Sequence, residues 1–166
     1  MSEIKSANKA SNKRLVINTE SQTAELWDEN KFLKKYVIST ALNGLGCQEN
    51  SYCTPTGKFK VASKIGNGLP MCAVMKSRVP SGEVWSADPS NPLSKSTEDL
   101  VLTRLLWLDG AEEHNSNTFK RYIYLHGTNQ EQLLGKPASH GCIRFSNRDI
   151  VEVFDALQAG DLVEVG

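Results

Sequence analysis

The sequence predicts a mainly β domain with one substantial helix near its C-terminus. Short apolar runs alternate at period two from Arg14 onward, and turn residues interrupt them every few positions. Only the stretch 146–160 carries apolar residues at helical spacing: Ile150, Val153, Phe154 and Leu157 fall at i, i+3, i+4 and i+7. A chain of 166 residues and 18.3 kDa is expected to form one domain, large enough to fold without disulfides or a metal.

The elements follow in order. Residues 1–13 are polar, with no apolar segment, and are expected to be a flexible tail ahead of a domain spanning 14–166. Leu15, Val16 and Ile17 open a strand, residues 23–27 form a second, and Asp28, Glu29, Asn30 and Lys31 make the turn into a third over 32–40. A loop runs from Asn43-Gly44 to Pro55, and residues 58–65 (KFKVASKI) alternate again. Residues 66–99 are rich in Gly, Pro and Ser, with short strand signals at 72–75 and 83–87; so long an irregular stretch suggests functional surface. Strands are expected at 100–108 and 121–125, joined by a polar loop in which His114 is solvated. A helical turn is expected at 129–134, stopped by Gly135. The main helix starts at Ser146 or Asn147, has Asp149 in its first turn where the helix dipole favours an acid, and ends at Gly160. Residues 162–165 close the chain as a strand.

Composition excludes several function classes. Lys plus Arg and Asp plus Glu are each 19, so there is no basic excess of the kind that nucleic acid or an anionic membrane attracts. No apolar run has the length of a bilayer span. The polar start resembles neither a secretory signal nor a lipidation site, and a cytoplasmic location is the expectation. Cys47, Cys53, Cys72 and Cys142 fit a reducing compartment. A Cys47–Cys53 bridge is geometrically open, but free thiols are favoured. The C-x2-C spacing of a structural zinc site is absent.

The chemistry concentrates in residues 126–144, HGTNQEQLLGKPASHGCIR, which hold two of the three histidines and one of the four cysteines. A cysteine nucleophile reacts as thiolate, so it needs a base nearby. Gly141 before Cys142 permits a tight turn in which successive N–H groups converge on one point, the arrangement that stabilises an oxyanion. His126, at a strand end sixteen residues upstream, is rigidly placed to be the base. A metal site made of His126, His140 and Cys142 is a rival reading, with its fourth position open.

Ser139-His140-Gly141-Cys142-Ile143-Arg144, preceded by Ile123-Tyr124-Leu125-His126-Gly127-Thr128-Asn129, resembles the signature of the YkuD-type L,D-transpeptidase catalytic domain. Thr54-Pro55-Thr56-Gly57-Lys58-Phe59 resembles that family's Thr-Pro-Thr-Gly-x-Phe turn. The resemblance extends over the opening strands, the run 135–138 and the closing helix and strand, roughly residues 14–166.

It implies a β-sandwich-like fold and a cysteine enzyme that acts on peptidoglycan stem peptides without a cofactor or metal. In that reading Cys142 attacks the carbonyl of the third stem residue and His126 serves as base and then acid. The Gly127 carbonyl orients the imidazole, and the N–H groups of Gly141 and Cys142 form the oxyanion hole beside His140. Ser139, Tyr124 and Arg144 are candidate substrate contacts. Arg144, where the family often has Asn, either pairs with a substrate carboxylate or holds a loop carbonyl; Tyr124 either lines the cleft or packs in the core. Hydrolysis of the thioester by water gives an L,D-carboxypeptidase, expected here on recycled muropeptides, and an amine acceptor gives an L,D-transpeptidase. The resemblance also implies acylation by carbapenems. Most family members are exported, whereas no leader is evident here. A non-catalytic peptidoglycan-binding module is the alternative from another class, and the intact His126 and Cys142 argue against it.

Overall fold

A computed structural model describes residues 11–166. Among the described residues the strands and the α-helix are β1 (Lys13–Asn18), β2 (Thr23–Asp28), β3 (Lys31–Ser39), β4 (Gly57–Ile65), β5 (Ala73–Lys76), β6 (Val79–Val84), β7 (Val101–Gly110), β8 (Tyr124–Gly127), β9 (Ile143–Phe145), α1 (Asn147–Ala156) and β10 (Leu162–Val165). All the strands belong to one sheet, in the order β4-β10-β1-β2-β3-β9-β8-β7-β5-β6, and β4 also pairs with β7. The sheet therefore returns on itself, and the sandwich-like fold implied by the sequence is built from one closed sheet with the β5–β6 hairpin appended to β7.

Closure gives the alternating strands a common inside. Leu15 and Ile17 of β1, Phe59 and Val61 of β4, Leu106 and Leu108 of β7 and Phe145 of β9 all enter one core. The apolar stripe of α1, Ile150, Val153 and Phe154, packs against β7 and β8 and completes that core, and Leu157 just beyond the helix joins it. The Ser146 hydroxyl caps α1 by accepting the Asp149 N–H at 3.0 Å.

Several sequence expectations are corrected. The strand expected over 121–125 starts only at Tyr124, because residues 119–121 form a 3-10 turn that ends in left-handed Tyr122 (φ 58°). The 83–87 signal is displaced to β6, which begins directly after a two-residue hairpin loop, Ser77-Arg78. Helix α1 ends at Ala156, not Gly160: Leu157 is extended and turns its side chain into the core, and Gly160 (φ 94°) shapes the turn into β10. The expected turn at 129–134 is a 3-10 turn at Glu131–Leu133. Strand β9, three residues long, is too short to be read from the sequence. Over residues 1–10 the expected tail lies outside the described residues, while Ser11 bonds Asp161 through both its N–H and its hydroxyl at 2.6 Å, and β1 starts at Lys13.

Candidate active site

His126 sits on β8 between an antiparallel and a parallel neighbour, opposite Leu105 of β7 and Arg144 of β9. Strand β7 bulges at this point: Thr103 and Arg104 are extra residues between the pairs Leu102–Gly127 and Leu105–His126, and Thr103 is left-handed (φ 73°). The bulge turns the Thr103 hydroxyl to donate to Asn147 Oδ1 at 2.6 Å, and Asn147 Nδ2 donates to the Thr128 carbonyl at 2.8 Å. This cross-brace passes so close to Gly127 that a Cβ there would lie 2.4 Å from Asn147 Oδ1 and 2.8 Å from the Leu102 carbonyl. Only glycine fits beside the histidine, and the imidazole Nδ1 rests 2.6 Å from the Gly127 carbonyl oxygen.

That contact fixes the tautomer. A carbonyl only accepts, so Nδ1 carries the proton. Burial holds the His126 pKa below its ordinary 6.5, against the opposing influence of Asp99, so the ring is neutral and Nε2 is an unprotonated base.

Cys142 enters on the turn that precedes β9. Gly141 is in a conformation (φ 130°) that L side chains rarely adopt, and a Cβ there would press on the Cys53 carbonyl and Ile123 at 3.3 Å. The turn is fastened from two sides. The Thr54 hydroxyl donates to the Gly141 carbonyl at 3.0 Å, and the Ser139 hydroxyl donates to the Cys142 carbonyl at 2.6 Å. Cys142 Sγ accepts the Tyr124 N–H and donates to the Tyr122 carbonyl, both at 3.3 Å. Burial pushes the thiol pKa up to about 12, despite the Tyr124 N–H. Because β8 and β9 run parallel, Cys142 lies beside Tyr124 and His126 is one two-residue repeat further along the same face, about 7 Å in strand rise.

The other sequence candidates divide. His140 is exposed and meets the Tyr52 ring edge-on at 6.1 Å, on the wall of a cavity of about 230 Å³ that Tyr122 and Arg121 also line. Tyr124 is buried in a cluster with Met75 and Leu105, against which Cys142 packs, and its hydroxyl accepts from Arg78 at 2.9 Å. Ser139 is buried and spent on the turn: besides its bond to Cys142 it accepts the Gly141 N–H at 3.3 Å, so it is a turn-builder where a substrate contact was expected. Arg144, 1% exposed, is committed to Asp99 at 3.2 Å, Gln130 at 2.9 Å and the Ala138 carbonyl at 3.1 Å. Of its two open roles the structural one fits: the guanidinium is buried, and both of its terminal nitrogens are held by the scaffold.

A metal at His126, His140 and Cys142 finds no support in this geometry. His140 faces Tyr52, His126 Nδ1 faces a carbonyl, and no group of three or more His, Cys, Asp or Glu among the described residues is placed to hold an ion. All four cysteines are free thiols. His114 is exposed, with Nε2 3.0 Å from the Thr56 carbonyl. A cavity of about 630 Å³ opens beside the ends of β1, β4 and β10 and touches none of these residues. The long-range partners Asp99, Thr103 and the Tyr122 carbonyl carry no signal in the sequence, and Thr54 and Asn147 stand out there only as part of the family-like turn and as the helix start.

The same fold occurs in proteins already described. The curated protein YqjB of Bacillus subtilis strain 168, which carries a provisional L,D-transpeptidase name, is 26% identical over 149 residues, covering 90% of this chain and 68% of its own length. Among solved structures, an L,D-transpeptidase from Mycobacterium smegmatis superposes with a TM-score of 0.58 at 19% identity, over 95% of this chain and 59% of that one. The L,D-transpeptidase LdtMt1, solved in complex with imipenem, gives a TM-score of 0.56 at 21% identity, over 94% and 59%. The chain thus spans roughly three-fifths of those solved proteins, and the likeness to them is one of fold. The L,D-transpeptidase catalytic domain profile matches residues 12–165, and with nearly the whole described chain inside that match, the protein belongs to the YkuD family of L,D-transpeptidase catalytic domains.

Proposed function

We propose that the protein is a cysteine acyl-transfer enzyme acting on peptidoglycan stem tetrapeptides, with water as its main acceptor: an L,D-carboxypeptidase that removes the terminal D-Ala. The observation that carries the reading is the fixed His126 tautomer on the strand face that Cys142 joins. His126 Nε2 takes the thiol proton, and the sulfur leaves its hydrogen bond to the Tyr122 carbonyl to attack the carbonyl carbon of the third residue. Of the two N–H groups expected at the oxyanion hole, that of Gly141 is bonded to the Ser139 hydroxyl at 3.3 Å, so the oxyanion is assigned to the Cys142 N–H on the tight turn. Collapse breaks the C–N bond, the imidazolium returns its proton to the departing D-Ala amine, and the acyl group remains on sulfur as a thioester. Water, deprotonated by the same Nε2, then attacks the thioester; the tripeptide acid leaves and the thiol is restored.

The two neutral partners suit this sequence. Burial raises the thiol and lowers the imidazole, so the pair rests uncharged and the proton moves only as the nucleophile attacks. An amine acceptor on the same thioester would make the enzyme an L,D-transpeptidase. The imipenem complex of a protein of the same fold supports acylation of Cys142 by carbapenems. Soluble recycled muropeptides, met in the cytoplasm, are the substrates we assign, and fractionation of the native protein tests that location.

Mass spectrometry of products from a soluble tetrapeptide, with and without excess acceptor stem, tests the acceptor. Tripeptide alone is the expected product. A crosslinked dimer or a D-amino-acid exchange product would replace this reading with transpeptidation.

A further inference from the structure

The two residues whose backbones hold the Cys142 sulfur also hold, with their side chains, an arginine from the β5–β6 hairpin. The Arg78 guanidinium carbon lies 4.5 Å from the Tyr122 ring centre and 5.2 Å from that of Trp107, and Nη1 donates to the Tyr124 hydroxyl at 2.9 Å. Tyr122 offers its carbonyl and Tyr124 its N–H to the sulfur. One tyrosine, Tyr124, therefore bridges the nucleophile and the Arg78 cation.

We infer that Arg78 is a specificity residue: it binds the free carboxylate of the D-amino acid that leaves when Cys142 is acylated. That carboxylate stands one residue beyond the scissile bond, a few ångströms from the carbon under attack. Arg78 is suited to it in three ways. A guanidinium has five N–H donors, of which Tyr124 takes one, leaving a fork that matches a carboxylate. Arg78 pairs with no carboxylate among the described residues, and the neighbouring acid Glu83 is tied to Lys76 at 2.9 Å. The aromatic shelf fixes the group before substrate arrives, so little side-chain entropy is lost on binding.

The turn that presents Arg78 is built for it at some strain. Register places Lys76 opposite Val79, so the loop is Ser77-Arg78 alone, with φ of 49° and 67°. Such two-residue turns favour Asn-Gly, which enter the left-handed region readily. A serine and an arginine occupy it here, and the arginine side chain is the one aimed at the site.

The inference rests on the acyl-transfer reading, and a binding measurement separates the two. Cys142→Ala protein is titrated with a stem tetrapeptide ending in free D-Ala and with the same peptide as its C-terminal amide. The acid should bind about 10-fold or more tighter than the amide. Adding Arg78→Ala should bring acid binding down to the amide level while the amide is unchanged, and Arg78→Lys should recover part of the difference. Equal binding of acid and amide, no binding of either, or an equal weakening of both by Arg78→Ala would overturn it. Because no turnover is read, a failure of the acyl-transfer reading would appear in the product assay and leave the outcome of this titration standing.

Discussion

The imidazole Nδ1 of His126 lies 2.6 Å from the carbonyl oxygen of Gly127, the next residue on its own strand. A backbone carbonyl here does what a carboxylate does in a Ser-His-Asp triad: it fixes the tautomer and points the bare Nε2 outward. A carbonyl stabilises an imidazolium less than a carboxylate would, and burial disfavours that charge further. The enzyme accordingly rests with a neutral histidine and a neutral thiol.

Removing either partner should end catalysis. Cys142→Ala is expected to lower turnover by about 10³-fold or more, with circular dichroism and melting temperature little changed, because the side chain is small and the residue is not fully buried. His126→Ala should cost about 10²–10⁴-fold, the range for a positioned general base. Product formation followed by mass spectrometry measures both, and turnover retained in either would contradict the assigned roles.

The resting protonation states fix a pH profile. The folded His126 pKa lies below 6.5, so kcat/KM should fall only as pH drops through that depressed value, giving an acid limb shifted below that of an ordinary histidine. With the thiol pKa near 12, iodoacetamide should alkylate Cys142 slowly at neutral pH. Stability follows the same linkage: the unfolded chain takes up a proton at His126 near pH 6.5 that the folded protein refuses, so stability present above that pH is lost as pH falls. In denaturant unfolding from pH 7 to 5, His126→Gln should flatten this slope.

Much of the site is legible locally. Cys142 follows a glycine and His126 ends a strand run, and both signals lie in one short segment of the chain. The helix is equally legible, since its apolar spacing is the packing stripe itself. What stays hidden acts across the fold. Thr54 reaches Gly141 from 87 residues away and Thr103 reaches Asn147 across 44. Arg144 divides between substrate and scaffold in the sequence, and only its pairing with Asp99 in the fold assigns it. The boundaries move where backbone strain intervenes, at left-handed Tyr122 and at Ser77-Arg78.

Gly127 should tolerate no side chain. Gly127→Ala places a Cβ against Asn147 Oδ1 and the Leu102 carbonyl, neither of which moves without breaking the brace. A loss of about 1–3 kcal/mol in stability is expected, the usual range for overpacking, together with a drop in kcat as His126 is displaced. Urea unfolding and steady-state rates check the two effects.

Arg144→Asn restores the residue common in the family's motif, yet here it should destabilise. Asp99 would be left largely buried without its partner, and loss of one member of a buried pair costs about 3–5 kcal/mol. Asp99→Asn with Arg144→Asn should recover part of that loss in the same unfolding assay.

Acyl transfer through Cys142 is tested most directly by intact-protein mass spectrometry during turnover of a tetrapeptide. A transient adduct of the tripeptide acyl group on Cys142 is expected, lost as tripeptide and free D-Ala accumulate, with no adduct and no product in Cys142→Ala. D-Ala release that continues in Cys142→Ala, or an adduct mapped to another residue, would contradict it.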